Sequence, residues 1–382
     1  MINIDIVCFS HLRWNFVYQR PQHLLSRFAK NARVFFVEEP MFGGDEITYT
    51  TEDADDENVT VIVPRLPHGL SAADGLDGLK TIVRDVMNEM QVTNFISWYY
   101  SPMALAWTEQ LNPALTVYDC MDELSAFKFA PPELKETEAK LMAKADLIFT
   151  GGYNLYESKR KLHNNVYPFP SSIDKEHFMK ARAPQADPPD QEKIPYPRLG
   201  YYGVIDERID LELISEIARQ QPSWHFIFIG PVVKIDPNTL PRNQNIHYLG
   251  SKDYKDLPKY LSGWNITLMP FALNESTEFI SPTKTPEYLA GGKPVISTAI
   301  KDVVNTYGKQ QLVHIIGNAE EALAAAQKEL HNKQREIWLG KVDAFLAGMS
   351  WEKTFNAMDE LMVLSLSSKQ QSLTNQKAEA YV

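Results

Sequence analysis

The sequence predicts an α/β protein of two Rossmann-like domains, each a doubly wound parallel sheet. A strand–loop–helix–strand pattern opens the chain over residues 2–38, and its right-handed crossover leads to a doubly wound sheet. A polar segment with five prolines at residues 183–198 has no periodicity, and a strand pattern restarts at residue 199. The length of 382 residues suits two such domains.

The N-terminal domain is predicted to span residues 1–182. Its first strand, residues 2–9, is almost continuously apolar, as a buried parallel strand is. The loop that follows holds no G-x-G-x-x-G, which argues against a nicotinamide or flavin site. The later elements are a helix at 20–30, strands at 33–38, 59–63, 94–99, 115–119, 146–150 and 165–170, and a helix at 132–144.

The C-terminal domain is predicted to span residues 199–348, after a linker at 183–198. Its predicted strands are 199–202, 224–230, 246–249 and 266–269, with amphipathic helices at 211–220 and 319–330. A last amphipathic helix is predicted at 351–364. Residues 365–382 are rich in Ser, Gln and Lys without a core-forming pattern, and we expect them to be disordered.

Composition excludes several classes of protein. The hydrophobic content of 44% with 23% charged residues is that of a globular protein, and a net charge of −11 argues against nucleic-acid binding. Cys8 and Cys120 lack metal-ligand spacing and indicate a reducing compartment. Without a basic leader or an apolar run of roughly 20 residues, we expect a cytoplasmic protein, with attachment to the inner face of the plasma membrane left open.

An acidic stretch at residues 51–58 contains Asp53-Ala54-Asp55-Asp56. A D-x-D pattern is a known metal-binding signature. Here the stretch is a polar loop before a strand, so a solvated charge run is the favoured interpretation and no metal site is predicted.

Residues 280–298, I-S-P-T-K-T-P-E-Y-L-A-G-G-K-P-V-I-S-T, predict a loop, a short helix and a buried strand. Pro286 belongs in the first turn of the helix, with Thr283 or Thr285 as its N-cap. Gly291 and Gly292 then end the helix. An ordinary α/β protein also runs a helix into a strand in this way, so the pattern alone leaves both interpretations open.

Two charged residues stand near the start of this predicted helix. Lys284 adds a full positive charge to the partial charge of the helix start, and that combination suits a phosphate group. Glu287 is a poor phosphate ligand, but its carboxylate accepts hydrogen bonds from two ribose hydroxyls.

Carboxylates follow the strand at 115–119. Because open α/β sheets bind ligands at the carboxyl ends of their strands, Asp119, Asp122 and Glu123 are expected to face or border the cleft, with at least one raised pKa. Asp122 has an alternative role as the N-cap of a short helix. His11, in the first loop, is a second candidate, with a packing role as its alternative.

The stretch 282–298 reads P-x-K-x-x-E-Y-x-A-x-G-x-P-V-x-S-T, and residues 270–277 read P-F-x-x-N-E-S-T. Together they resemble the nucleotide-sugar site of bacterial GT-B glycosyltransferases, the glycosyl transferases group 1 or family 4-like enzymes of cell-envelope polysaccharide synthesis. The resemblance implies a GT-B fold, in which an acceptor-side N-terminal domain faces a nucleotide-sugar-binding C-terminal domain and the last helix crosses back to the first domain.

The resemblance also implies roles for individual residues. Lys284 contacts the donor pyrophosphate and Glu287 the ribose, within a donor site that includes Gly203, Arg208 and Thr283. An ion pair of Arg208 with Glu207 or Asp210 is the alternative. Asp122 and His11 are the candidates for catalysis. Because cations take the role of a divalent metal at the leaving group, the resemblance implies a hexosyltransferase that uses no metal or other cofactor. A UDP-sugar is the expected donor.

One departure leaves the stereochemistry open. Retaining members carry a second glutamate eight residues before Glu287, where this chain has Phe279, and Glu278 is one residue out of register. Expected partners are a nucleotide sugar and a glycan or lipid-linked acceptor. Two other functions stay open: a non-hydrolysing nucleotide-sugar epimerase of the same fold, and a non-catalytic nucleotide-sugar-binding assembly subunit.

Overall fold

The structure is a computed structural model that describes residues 1–54 and 58–379. It contains two mainly parallel β-sheets, one in each half of the chain, with helices between the strands. The predicted fold class, two doubly wound α/β domains, is confirmed. The larger sheet has strand order β3-β5-β2-β1-β6-β7-β8-β9, with β4 antiparallel on β5.

The strands of this sheet are β1 (Asp5–Ser10), β2 (Val34–Glu38), β3 (Met41–Phe42), β4 (Thr48–Asp53), β5 (Val59–Leu66), β6 (Phe95–Tyr99), β7 (Leu115–Cys120), β8 (Leu147–Thr150) and β9 (Val166–Pro168). Its central strands are buried on both faces. Ile6 and Cys8 of β1 pack into one core and Val7 and Phe9 into another, because successive strand residues point to opposite faces.

The second sheet is entirely parallel, in the order β12-β11-β10-β13-β14-β15. Its strands are β10 (Arg198–Tyr202), β11 (His225–Ile229), β12 (Ile246–Tyr248), β13 (Ile266–Met269), β14 (Val295–Thr298) and β15 (His314–Ile316). The strand order reverses direction at β10, so ligands are expected beside the carboxyl ends of β10 and β13.

Thirteen α-helices accompany the two sheets within the described residues. They are α1 (Arg20–Phe28), α2 (Ala72–Glu89), α3 (Leu105–Thr108), α4 (Leu134–Lys144), α5 (Tyr153–Lys159), α6 (Lys175–Met179), α7 (Leu211–Gln220), α8 (Leu257–Ser262), α9 (Lys284–Ala290), α10 (Lys301–Val303), α11 (Ala319–Leu330), α12 (Arg335–Leu346) and α13 (Trp351–Glu379).

The last helix, α13, packs on the N-terminal domain. Trp351, Phe355, Met358 and Met362 join the core beneath β1, and Asp359 accepts a hydrogen bond from the backbone N–H of Ile2 at 2.7 Å. The helix was predicted to end at residue 364, with disorder from 365 to 382. This is corrected for residues 365–379, which continue α13, since no Gly or Pro interrupts them. The remaining residues of that prediction, 380–382, lie outside the described residues.

The acidic stretch is also partly corrected. Residues 51–53 belong to β4, which pairs antiparallel with β5, so they form a strand and not a loop. Asp55 and Asp56 of the predicted charge run lie outside the described residues. Within residues 1–54 and 58–379, no three His, Cys, Asp or Glu side chains are grouped so as to hold a metal ion.

Candidate functional site

The two sheets face a common cleft that contains a cavity of about 750 Å³. Most of its walls come from segments that follow the carboxyl ends of parallel strands in the two sheets, among them β1, β7, β8, β10, β11, β12 and β13, and the end of β4 also contributes. The N-terminal domain contributes residues 14–20, 22, 52–54, 121, 122, 151 and 171. The C-terminal domain contributes residues 201–204, 208, 229–231, 251–255, 257, 271, 280–284 and 287.

Helix α9 carries two of the predicted donor-site residues. It begins at Lys284 after Thr283, has Pro286 in its first turn, and ends at Gly291. Gly292 then takes φ 70°, a left-handed conformation that suits glycine. Since α9 has only seven residues, an anion at its start depends mainly on the lysine side chain.

Lys284 projects into the cleft with an unpaired ammonium group. Among the described residues it forms no hydrogen bond and no ion pair within 4.0 Å, although it is only partly exposed. Burial lowers its pKa, and Arg208 adds to this, while Glu287 opposes it. A partly buried cation without a partner is costly in a native structure, so this group is suited to an anionic ligand.

Gly203 leaves room for this lysine. Its φ is 141°, and a Cβ atom at this position would lie 2.1 Å from Lys284 Cε and 2.9 Å from Nζ. Any side chain at residue 203 would therefore displace the ammonium from the cleft. Gly203 and Thr283, both predicted in the donor site, line the cavity.

Arg208 lies on the same wall. Its Nε and Nη2 donate to the Asp206 carboxylate at 2.7–3.1 Å, so the ion pair is with Asp206 and not with Glu207 or Asp210. Within the described residues, Nη1 makes no hydrogen bond and stays available. The guanidinium also lies 5.4 Å from the centre of the Phe127 ring of the opposite domain.

Glu287 faces the cavity one turn along α9. Its Oε2 accepts a hydrogen bond of 2.9 Å from the Tyr202 hydroxyl. Burial raises the pKa of Glu287 to about 7, while Lys284 and the Tyr202 bond act in the opposite direction. The carboxylate therefore sits at the balance between its charged and neutral forms near neutral pH.

Asp122 faces these groups from the N-terminal domain. Its carboxylate forms no hydrogen bond with the described residues, and the short turn Leu124–Ala126 has Glu123 and not Asp122 as its N-cap. The capping alternative is therefore not what the structure shows. Burial raises the pKa of Asp122, and the electrostatic attraction of Arg208 and Lys284 opposes that rise.

The neighbouring carboxylates do not line the cavity. Asp119 lies fully buried beneath it and holds Arg20 through three hydrogen bonds of 2.8–3.1 Å. Glu123 accepts from Lys159 at 2.8 Å. Of these three carboxylates, only Asp122 lines the cavity, so the expectation for Asp119 and Glu123 is corrected: each is held by a cation of its own domain.

His11 stands apart from the other predicted residues, since it does not line the cavity. Its Nδ1 is buried without a hydrogen-bond partner among the described residues. Burial lowers the pKa of His11 to about 4, and Lys234 adds to this. The ring is therefore neutral at pH 7, and a catalytic role for it stays a prediction.

Neither Glu278 nor Phe279 supplies a second carboxylate to the cavity. Glu278 pairs with Lys301, and its backbone carbonyl accepts from Asn154 Nδ2 at 2.6 Å. Phe279 packs against the core of the N-terminal domain. The segment before α9 therefore contacts the N-terminal domain at the position where retaining members carry their second glutamate.

A second contact between the domains was not predicted from the sequence. Both oxygens of Asp302 in α10 accept hydrogen bonds from the first N–H groups of α5, at Tyr153 and Asn154, each at 2.9 Å. A Cβ atom on Gly152 would lie 2.3 Å from this carboxylate. Gly152 thus permits close approach of the C-terminal domain, whereas a Cβ atom on Gly151 would meet the backbone of Met121 in its own domain.

The helices of the described residues include none with the length and apolarity needed to cross a membrane.

Residues 198–333 match the family described as Glycosyl transferases group 1. The resemblance drawn from residues 270–298 is thereby confirmed, and the chain carries a glycosyl transferases group 1 domain. A curated relative is TuaH of Bacillus subtilis (strain 168), described as a teichuronic acid biosynthesis glycosyltransferase, with 27% identity over 220 residues. The match covers 53% of this chain and 54% of that protein, so it spans about half the length of each.

Solved structures share the whole fold. Sucrose-phosphate synthase from Thermosynechococcus elongatus aligns with a TM-score of 0.70 at 15% identity, over 96% of this chain and 100% of that one. The Anabaena protein HepE in complex with UDP and glucose aligns with a TM-score of 0.67 at 12% identity, over 94% and 99%. At such identities the likeness concerns the fold, which is the predicted GT-B fold.

Proposed function

We propose that this protein is a glycosyltransferase that moves a sugar from a nucleotide-sugar donor to an acceptor hydroxyl group. The observation that carries the proposal is the unpaired ammonium of Lys284 beside Arg208, in a cleft of a chain with a group 1 glycosyl transferase domain. A UDP-sugar is the favoured donor, because fold relatives were solved with UDP and glucose or with UDP-2-fluoro glucose.

The donor diphosphate lies against Lys284 and the free Nη1 of Arg208. Negative charge grows on this group as the bond from the sugar C1 to the diphosphate oxygen breaks, and two fixed cations stabilise it. Glu287 accepts hydrogen bonds from the ribose hydroxyls with the oxygen that Tyr202 leaves free. We infer that these cations replace a divalent metal, so that excess EDTA leaves the rate of transfer unchanged.

Asp122 takes the proton from the acceptor hydroxyl as its oxygen forms the new bond to C1. The raised pKa of this carboxylate suits a general base, because a base is most effective when its pKa approaches the working pH. Neutral His11 is the second candidate for acceptor contact. Replacement of Asp122 by Asn is expected to lower kcat by about 10²–10⁴-fold while the donor dissociation constant changes little.

The acceptor class is drawn from the curated relative, which is named for teichuronic acid biosynthesis. We propose a glycan or lipid-linked acceptor of a cell-surface polysaccharide, used in the cytoplasm at the inner face of the membrane. The nucleotide-sugar epimerase of the same fold is not favoured, since the family match and the relative are both glycosyltransferases.

A panel of UDP-, GDP- and dTDP-sugars tests the proposal by thermal stabilisation, because a ligand that binds only the folded state raises its melting temperature. The sugar that stabilises the protein is then supplied in radiolabelled form with bacterial membranes. Incorporation of label into glycan or lipid supports transfer. Conversion of the free nucleotide sugar into an epimer without acceptor would support the epimerase instead.

A further inference from the structure

The N-terminal wall of the cleft differs in charge from the wall that carries the donor site. Lys284, Arg208 and Glu287 all belong to the C-terminal domain, so the acceptor has to meet the donor from the opposite wall. What this opposite wall can bind therefore bears on the chemistry of the acceptor, and the inference rests on the proposed function.

The cations near this wall are not free to bind an anion. Among the described residues that line it, the one basic side chain is Arg20, which is 1% exposed and bonded to Asp119 and to the carbonyl of Phe169. Lys234 of the other domain lies 5.2 Å over the Phe127 ring and is outside the cavity lining. A phosphate or carboxylate on the acceptor would therefore find no unpaired cation among the described residues of this wall.

Carboxylates are present on the same wall instead. Glu52 and Asp53, at the end of β4, are exposed and line the cavity, as does Asp122. Ionised carboxylates accept hydrogen bonds only, so their natural partners are hydroxyl groups. Their combined negative charge repels an anionic acceptor and leaves an uncharged, hydroxyl-rich one unaffected.

One aromatic ring on this wall is also unoccupied. Phe16 lines the cavity, keeps 53% of its surface exposed, and makes no ring–ring contact with the described residues. A large exposed aromatic side chain in a polar cleft indicates a binding surface. Its apolar face fits the C–H face of a sugar ring, whose hydroxyls point outward towards polar partners.

We propose that this wall binds an uncharged sugar residue of the acceptor, with its C–H face on Phe16 and its hydroxyls on Glu52 and Asp53. The accepting residue is therefore a neutral glycoside, neither a sugar phosphate nor a uronic acid. Any charge on the acceptor, such as a lipid-linked phosphate, lies beyond the residue that occupies the cavity.

The test measures acceptor-stimulated release of UDP from the donor that stabilises the intact protein. The probes are octyl β-D-glucoside, octyl β-D-galactoside and octyl N-acetyl-β-D-glucosaminide, against octyl β-D-glucuronide and glucose 6-phosphate. With at least one neutral probe, the rate of UDP release is expected to be about tenfold or more above the rate with either charged probe. Phe16→Ala should raise the KM of that probe by about tenfold and leave the donor KM unchanged.

Matched controls come from the same domain. Phe42 is 61% exposed and Glu46 is exposed, and neither lines the cavity, so Phe42→Ala and Glu46→Lys should behave as the wild type. Glu52→Lys should reduce the difference in the rate of UDP release between octyl β-D-glucoside and octyl β-D-glucuronide.

Three results would overturn the inference. The first is a rate of UDP release with a charged probe that equals or exceeds the rate with every neutral probe, and the second is no increase in UDP release with any neutral probe. The third is an equal change in the KM of the neutral probe in Phe16→Ala and Phe42→Ala. A protein that no nucleotide sugar stabilises would instead overturn the proposed function itself.

Discussion

Replacing Lys284 with Met removes the ammonium group on which the proposed donor site mainly depends, while it keeps a side chain of similar length. A hydrogen bond to a charged group contributes about 1.5–3 kcal/mol, so the loss of one such bond weakens binding by about tenfold to about a hundredfold. Isothermal titration of UDP into wild type and variant measures this directly.

The Lys284→Met change weakens UDP binding but is expected to stabilise the unliganded protein. Because the pKa of Lys284 is lowered by burial, its charged form is disfavoured in the folded state, and removing the charge should raise the melting temperature. The comparison is made at pH 6, where Glu287, with a pKa of about 7, is mostly neutral and loses little when its cationic neighbour is removed.

The two effects together separate a ligand site from a structural lysine. At UDP concentrations of 100 times the wild-type dissociation constant, stabilisation of about 2.7 kcal/mol is expected for the wild type and about 0.4 kcal/mol for a hundredfold weaker variant. Lys309→Met, at an exposed position outside the cavity, should change neither quantity. A Lys284→Met protein that binds UDP within twofold of the wild type, or that melts lower at pH 6, would refute the assignment.

Three further changes address the cleft and the fold. Folding raises the pKa of Glu287 from 4.5 to about 7, so the wild type loses stability as pH rises through this window, and Glu287→Gln should gain up to about 3 kcal/mol relative to it above pH 7 in thermal melts. Asp302→Ala removes the cap on α5, worth about 1 kcal/mol, and should shift the closed-to-open ratio about fivefold, seen as a larger radius of gyration by X-ray scattering. Arg20→Met leaves Asp119 buried and unpaired and should cost about 3–5 kcal/mol in urea unfolding, most of it recovered when Asp119→Leu is added. Unchanged scattering, or a single variant as stable as the double one, would contradict the last two.

Local sequence patterns were sufficient for the fold and for the donor wall. The central strands of the two sheets are short apolar runs, whereas the polar strand β4 was not predicted. The helix–Gly-Gly–strand pattern around Lys284 and Glu287 depends on residues close in the chain. The resemblance then implied roles for these residues, and the structure adds that Lys284 has no hydrogen-bond or ion-pair partner in the part of the chain that it describes. That last fact depends on three-dimensional distances and has no signature in the sequence.

The features that the sequence did not reveal are contacts between distant segments. The bond from Asn154 to Asp302 joins residues 148 positions apart, and the ion pair of Arg20 with Asp119 joins residues 99 positions apart. A single sequence offers many Asp residues and no rule for choosing among them. The exposure of Phe16 in the cavity could not be predicted either, because a sequence does not distinguish an exposed phenylalanine in a loop from a buried one.

The pair Gly151-Gly152 shows how a local pattern acquires meaning only from the fold. Two adjacent glycines after a strand fit either a tight strand-to-helix turn or the close approach of a ligand. The φ of Gly152 is −162°, an extended conformation that any residue adopts, so the turn itself does not require glycine there. Glycine is required there by the lack of space, because the carboxylate of Asp302 occupies the position that a side chain at residue 152 would take. Glycine at 152 is therefore explained by the closed arrangement of the two domains, in which the groups of the donor wall and Asp122 face the same cavity.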